Sequence, residues 1–364
     1  EEGLDVIKLL EQCYAQRKPV HITPEPVGDL KGKTVLVTGA TGFVGGQLVE
    51  QLVLHEGAKV RVFVHRWNKA AYVSRFDVEY VQGNIFDAAS MLKAAKGCDY
   101  IMHLAITGGG TCEESIVNSE KAIETLMYAA KENNVKHVVN VSSVVVHGET
   151  VPKDLSADSP LISYDDAYAA GKLAAEKRFR KLLDEYNLHG SVIRPTYIWG
   201  PYSMWYTIHI LNLMKKGEFA WVENGNGICN AVYVGNVVDM CIKCCSESAA
   251  DHQAFIATDG EQLTWREFYG QYMQMIGKRP EDYLSVPIQP SAMRRMRLIM
   301  RDMLEENMKK RPMFFVLLLS FLFISCENLL NPKDSYDNGD GKTYTITGDI
   351  DIEGALPNEL FNEN

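Results

Sequence analysis

Tyr168-Ala169-Ala170-Gly171-Lys172 sets a phenol and an ammonium four residues apart, and in a helix positions i and i+4 stack on one face. A free phenol titrates near ~10 and is a poor base at neutrality, but an adjacent ammonium favours the phenolate and lowers that value. Ser143 lies 25 residues upstream, at the end of an apolar run, and its hydroxyl could orient the same substrate oxygen. Together the three side chains make an acid/base site for a carbinol–carbonyl couple. Tyr-x-x-x-Lys alone is common by chance, so its weight comes from what precedes it.

What precedes it is Val35-Leu36-Val37-Thr38-Gly39-Ala40-Thr41-Gly42-Phe43-Val44-Gly45, an apolar strand running through a glycine-rich turn into a helix. Gly39 permits the tight turn, Gly42 lets backbone approach a pyrophosphate, and Gly45 lets helix pack on strand. Thr41, Phe43 and Val44 complete a loop whose helix-N-terminal amides would face the anion. The end of the next strand chooses between dinucleotides. An acid there binds ribose hydroxyls and repels a 2′-phosphate. Here the residues are Val64-His65-Arg66, with no acid before Asp77. Arg66, aided by His65 or Lys69, would pair with the phosphate, which favours NADP over NAD; a solvated basic turn is the other reading. Further on, Asn84 is placed to meet an adenine edge with Ile85 beside it, and Asp87 to cap a helix. Leu104 and Ala105 follow His103 at a strand end beside the presumed nicotinamide. His103 itself reads as a packed strand residue, and Gly108-Gly109-Gly110 as a loop able to gate a substrate.

The elements that must position these groups alternate. Strands are expected at 34–38, 60–64, 78–81, 100–104, 138–141 and 191–194, with helices near 43–55, 88–96, 114–132 and 166–186. Apolar strands with little alternation suit a parallel sheet covered on both faces, so the expected fold is α/β, a doubly wound Rossmann-type parallel sheet with a smaller C-terminal substrate-side region. A net charge of −10 speaks against a nucleic-acid surface. Eight cysteines in 364 residues do not make a disulfide framework. Cys241-Ile242-Lys243-Cys244 has no second pair or nearby His to complete a zinc set, so no metal is expected.

The combination of Thr38–Gly45, His103-Leu104-Ala105, Val141-Ser142-Ser143, Tyr168-x-x-x-Lys172 and Arg194-Pro195 resembles the extended short-chain dehydrogenase/reductase superfamily, and within it the NAD(P)-dependent epimerase/dehydratase group. The resemblance covers about residues 32–280. It implies that Tyr168 is the catalytic acid/base, that Lys172 binds the nicotinamide ribose and tunes Tyr168, and that Ser143 polarises the substrate oxygen. It also implies that Arg194-Pro195 and the Tyr197-Ile198-Trp199-Gly200-Pro201 segment line nicotinamide and substrate. Tyr197, Tyr202, Trp205, Tyr206 and Trp221 are expected around the substrate. Departures from the pattern are Gly171 before Lys172, His147-Gly148 where Tyr-Gly is common, and Asn84 in place of a frequent Asp. Val144-Val145-Val146 follows Ser143 where sugar-nucleotide dehydratases carry Thr-Asp-Glu, which argues against an elimination step. The resulting expectation is an oxidoreductase or epimerase acting on a secondary alcohol or ketone, a nucleotide sugar among the candidates. A non-catalytic NAD(P)-binding sensor or a truncated, inactive enzyme is the alternative. Family members dimerise through helices near 114–132 and 167–186, which implies a homodimer.

Three pieces are expected: a leader helix and linker over 1–31, the enzyme over 32–307 (nucleotide-binding core 32–195, substrate-side region 196–307), and a foreign segment over 308–364. The leader resembles the last helix of glucose-fructose oxidoreductase-type sugar dehydrogenases, and a chain opening on Glu1 reads as lacking its start. Residues 308–326 combine a basic cluster, the apolar run 313–325 and Cys326, and resemble a bacterial lipoprotein signal. Residues 327–364 hold nine acids and two lysines, a tail unlike the body. A chimera joined near Met308 is the expectation, with the enzyme part cytoplasmic. A membrane would be a partner only if 313–325 belongs to the natural protein.

Overall fold

Val35, Leu36 and Val37 point to alternate sides of their strand and are all fully buried, so that strand needs cover on both faces. It is β1 (Thr34–Thr38), next to the middle of a seven-stranded sheet completed by β2 (Lys59–Val64), β3 (Glu79–Gln82), β4 (Tyr100–His103), β5 (His137–Val141), β6 (Gly190–Pro195) and β7 (Ala254–Ala257). The spatial order is β7-β6-β5-β4-β1-β2-β3 and every pairing is parallel. One face carries α1 (Phe43–Leu54) and α5 (Val234–Ser246), whose Leu48, Leu52, Val237 and Cys241 pack with Val35 and Val37. The other carries α2 (Ala88–Ala95), α3 (Cys112–Glu132) and α4 (Ala167–Tyr186), whose Met91, Ile123, Leu126 and Phe179 pack with Leu36. This is the doubly wound arrangement the sequence predicts. The computed structural model describes residues 26–149 and 154–286 together with two strands, Ser335–Asp337 and Thr343–Thr345; the expected leader helix, the 313–325 run and Cys326 lie outside the described residues.

Local chemistry starts the helices where they are needed. Asp87 accepts from the amides of Ala89 and Ser90 to begin α2, as expected of it. Thr111 accepts from Glu114 N at 3.1 Å to begin α3, and Asp166 from Ala169 N at 2.7 Å to begin α4. The N-cap of α1 is Gly42, which offers no side chain, so its first-turn amides are left for another acceptor.

Among the described residues two compact units emerge, one running through residue 213 and taking in 229–263, the other made of 214–228 with residues from 264 on. The first therefore draws β7 and α5 from beyond residue 195, where the sequence reading ended the nucleotide-binding core. β7 is a four-residue edge strand with only Ala257 fully buried, too short and mixed to announce itself. At the other end, residues read as linker are packed: Leu30 is fully buried, and the Glu56 carboxylate accepts from Val27 N at 2.7 Å and Gly28 N at 3.1 Å. In the second unit Phe219, Trp221, Tyr269 and Tyr283 form a ring cluster, with Phe219 and Trp221 centroids 4.9 Å apart. Trp221 is 2% exposed and its indole N–H donates to Pro280 O, so it is a core residue of that unit and not the substrate-lining residue expected. The six described cysteines are all free thiols, and Cys241 and Cys244 lie on the buried side of α5.

Candidate active site

Strand order reverses between β1 and β4, so a crevice opens outside their C-terminal ends. Thr38 pairs with His103 in that register, and Gly39 and Leu104 are the next residues on each side. Gly39 turns the chain at φ +73°, and a Cβ there would lie 2.6 Å from Ala105 N. A Cβ on Gly45 would lie 2.2 Å from Gly39 O. The turn is thus a concave strip of bare backbone ending at the uncapped start of α1, a cradle that fits a pyrophosphate. At the end of β2, His65 and Arg66 are exposed, with Arg66 the N-cap of a short turn, Trp67–Lys69. Trp67 fixes that turn by donating to Gln82 Oε1 at 2.9 Å. After β3, Asn84 is exposed and its Oδ1 accepts from Phe86 N, which leaves its amide NH2 to face outward; Ile85 is half-buried beside it.

The acid/base candidates meet at the ends of β5 and α4. Ser143 follows β5, and its hydroxyl lies close enough to Tyr168, the second residue of α4, to act on the phenol. Lys172, one turn on, donates to Val141 O at 2.9 Å and sits 5.9 Å from the Tyr168 ring centroid. A pocket of about 30 Å3, enough for a water, is lined by Tyr168 and Lys172 with His103, Thr107 and Asn140. The Asn140 amide nitrogen on its wall is buried with no protein partner. Burial holds the Tyr168 phenol above its usual range, the Ser143 hydroxyl draws it back, and Asp166 adds to the rise. Burial pushes the Lys172 ammonium down to about 8, against the pull of Glu176. The sequence predicts that Lys172 depresses Tyr168; in the structure the phenol is instead raised, by burial first.

A family model described as the NAD dependent epimerase/dehydratase family matches residues 35–256, more than half the chain. The chain belongs to the NAD-dependent epimerase/dehydratase family. It is an NAD(P)-dependent enzyme of the extended short-chain type. A UDP-glucose 4-epimerase of Vibrio cholerae is 27% identical over 72% of this chain and 81% of its own. A 3 beta-hydroxysteroid dehydrogenase/Delta 5→4-isomerase of Mycobacterium tuberculosis is 28% identical over 70% and 72%. A farnesyl-dihydroquinoline-oxide ketoreductase of Stigmatella aurantiaca is 23% identical over 67% and 74%. Among solved structures, UDP-glucuronic acid 4-epimerase from Bacillus cereus in complex with NAD shares the fold at a TM-score of 0.61, with 17% identity over 70% of this chain and 87% of that one.

In this family member the expected aromatic residues divide. Tyr197 and Tyr206 pair edge-to-face at 5.1 Å, and Tyr206 lies near enough to Tyr168 to feel it; burial, then Tyr197 and Tyr168, raise the Tyr206 phenol. Tyr202 instead packs edge-on against Tyr72 at 5.0 Å, and Trp205 against His209. Pro195 closes β6, buried, but the Arg194 side chain turns inward onto Glu176 and lines nothing. His103 is the packed residue expected, with Nδ1 2.7 Å from Thr38 Oγ1 and burial, then Lys172, pushing it down to about 3. Tyr164 was missed: it joins Tyr168 and Tyr197, and burial lifts it to about 12. Glu176 was missed too, although its place four residues after Lys172 was legible. At the far, N-terminal end of β6, exposed His189 and His252 gather about half-buried Asp251, with His189 Nδ1 2.6 Å and His252 Nε2 3.9 Å from its carboxylate oxygens. Among the described residues no helix is long and apolar enough to cross a membrane.

Proposed function

We propose that the enzyme interconverts a secondary alcohol and a ketone, with Tyr168 moving the proton. The observation that carries this reading is the convergence of Ser143 and Tyr168 with Lys172, which is buried one helical turn on and lies 5.9 Å from the Tyr168 ring centroid. Ser143 orients the reacting oxygen, Tyr168 gives or takes its proton, and Lys172 supplies the positive charge that makes the phenolate accessible. The bound dinucleotide would lie on Gly39, Thr41, Gly42, Phe43, Val44 and Gly45, pass Asn84, Ile85, Leu104 and Ala105, and reach Lys172 and Pro195. It supplies or accepts hydride at the substrate carbon. NADP is the preferred form, through Arg66 with His65 beside it. Val144-Val145-Val146 leaves no carboxylate after Ser143, which supports reduction, oxidation or epimerisation over elimination.

Tyr197, Tyr206, Tyr202 and Trp205 suit a sugar or a flat apolar ketone. A nucleotide sugar stays among the candidates beside an uncharged ketone, with Lys215 and Lys216 as the cations nearest in sequence that could meet a diphosphate. Val117 and Tyr128 are exposed on α3 and support a homodimer through α3 and α4. The enzyme portion is assigned to the cytoplasm, and residues 308–364 are taken as foreign to it; one uninterrupted frame through that junction in independent isolates would refute the latter. The activity is tested by following NADPH absorbance over a panel of ketones, secondary alcohols and UDP-sugars. Tyr168→Phe should cost about 100-fold or more in kcat and leave dinucleotide binding intact. Turnover at the wild-type rate in that variant would overturn the assignment.

A further inference from the structure

Arg194 is 2% exposed and Glu176 fully buried, and between them they join three parts of the first unit. Arg194 Nε donates to both Glu176 oxygens, at 3.2 and 3.1 Å, and Nη2 donates to Oε1. Glu176 stands two turns after Tyr168 and one turn after Lys172 on α4, so this pair anchors the helix that bears both. Arg194 Nη1 donates to Ala157 O at 2.7 Å and to His147 Nε2 at 3.1 Å. A guanidinium only donates, so His147 Nε2 must be the acceptor, and its protonated Nδ1 donates to Pro160 O at 3.2 Å. His147 is the last residue of the short turn Val144–His147 that Ser143 caps.

We propose that His147, Arg194 and Glu176 form a positioning brace that fixes Ser143 against Tyr168. One planar guanidinium holds the end of the Ser143 turn with one nitrogen and the Tyr168 helix with the other two. Slack in either arm lets the two hydroxyls separate while the sheet and the dinucleotide cradle stay in place. The other groups facing Glu176 are Arg180 and Lys172 from its own helix and the Ser142 hydroxyl from the end of β5. Each leaves the bridge to His147 to Arg194 alone. Burial of a full ion pair here is costly and a pair of apolar residues would fill the space as well, so its value lies in geometry.

The proposal rests on the reading of Tyr168 above, and the test separates the two. The full chain is prepared with [13Cζ]tyrosine, and the Tyr168 resonance is assigned by its loss in Tyr168→Phe. His147→Phe, which removes the acceptor, should move that resonance to the position it takes in Ser143→Ala. His147→Gln, whose carbonyl can accept from Arg194, should return it to the wild-type position. Arg194→Lys, which keeps the charge but cannot reach both partners, should match His147→Phe and serves if that variant does not fold. In turnover, kcat should fall by about 10- to 100-fold in His147→Phe and recover in His147→Gln, with KM and NADP affinity held. An unmoved resonance in both His147→Phe and Arg194→Lys, or equal displacement in His147→Gln, would overturn the brace. If the resonance behaves as stated but no panel substrate turns over, the brace stands and the catalytic reading falls.

Discussion

Gly45 approaches Gly39 so closely that a methyl group on its Cα would lie 2.2 Å from the Gly39 carbonyl oxygen and 2.8 Å from Ala40 Cα. Every atom it would meet is backbone, so no side chain can swing aside. Gly45→Ala must push α1 off the end of β1 and spoil the cradle. The expected cost is about 1–3 kcal/mol, with loss of measurable NADP binding by calorimetry. Gly270→Ala is the contrast: it sits inside the helix Trp265–Met275, its added methyl would touch only Pro280 at 3.7 Å, and it should raise the melting temperature.

That glycine spacing was readable because backbone contact leaves no choice of residue. The strands of the sheet's centre were readable for a related reason: Val35–Val37 and Val138–Val141 are buried on both sides, and only Asn140 interrupts their apolar runs. β7 escaped because it is short and at the edge, and Leu30 because prolines and glycines around it suggest a linker. At the site, Ser143, Tyr168 and Lys172 were legible from type and spacing. The inward turn of Arg194 was not, since a strand-end arginine beside a presumed cofactor gives no sign of the Glu176 and His147 that claim it from distant segments. Nor does sequence show that burial, rather than Lys172, governs the Tyr168 proton.

Arg66 gives the cofactor preference a direct check. It is exposed at the end of β2 and makes no ion pair with any described residue, while Trp67 pins the turn behind it. Arg66→Ala should weaken NADP binding by about 10-fold, the loss of one charge-assisted contact, and leave NAD unchanged. Equal weakening of both would show that Arg66 holds the turn and does not select the phosphate.

The Tyr168 and Lys172 environments predict different pH behaviour in the two reaction directions. A phenol held above its ordinary range stays protonated at neutrality, which suits it to give a proton to a ketone. Reduction should therefore be flat toward acid and fall above about 8, where Lys172 loses its charge. Oxidation needs the phenolate and should climb only at the alkaline end, beyond the interval in which Lys172 loses its charge. Ser143→Ala removes the hydroxyl that draws Tyr168 down, so its oxidation limb should move to higher pH. Rate profiles in both directions, taken on one substrate pair, decide this; a common bell with unchanged limbs in Ser143→Ala would contradict it.

Stability below neutrality should be governed by buried imidazoles. Ser191 Oγ gives its one proton to Ala250 O, so His137 Nε2, 2.7 Å away, must be the donor to Ser191. Burial pushes His137 from 6.5 down to about 4, with Asp251 pulling the other way, and His103 to about 3. Between about 4 and 6.5 the unfolded chain binds protons that the folded chain refuses, so unfolding free energy rises with pH across that window and is lost as pH falls through it. His137→Gln keeps a donor toward Ser191 without a titrating group. Its melting temperature should fall less steeply than the wild type's on acidification, the two curves diverging by about 3 kcal/mol once His137 would be protonated. Parallel curves would mean that His137 is already open to protons in the folded state. The slope that remains in His137→Gln is shared by His103 and His147, both lowered by burial, and at lower pH by carboxylates held below their ordinary range, Glu176 and Asp99 among them.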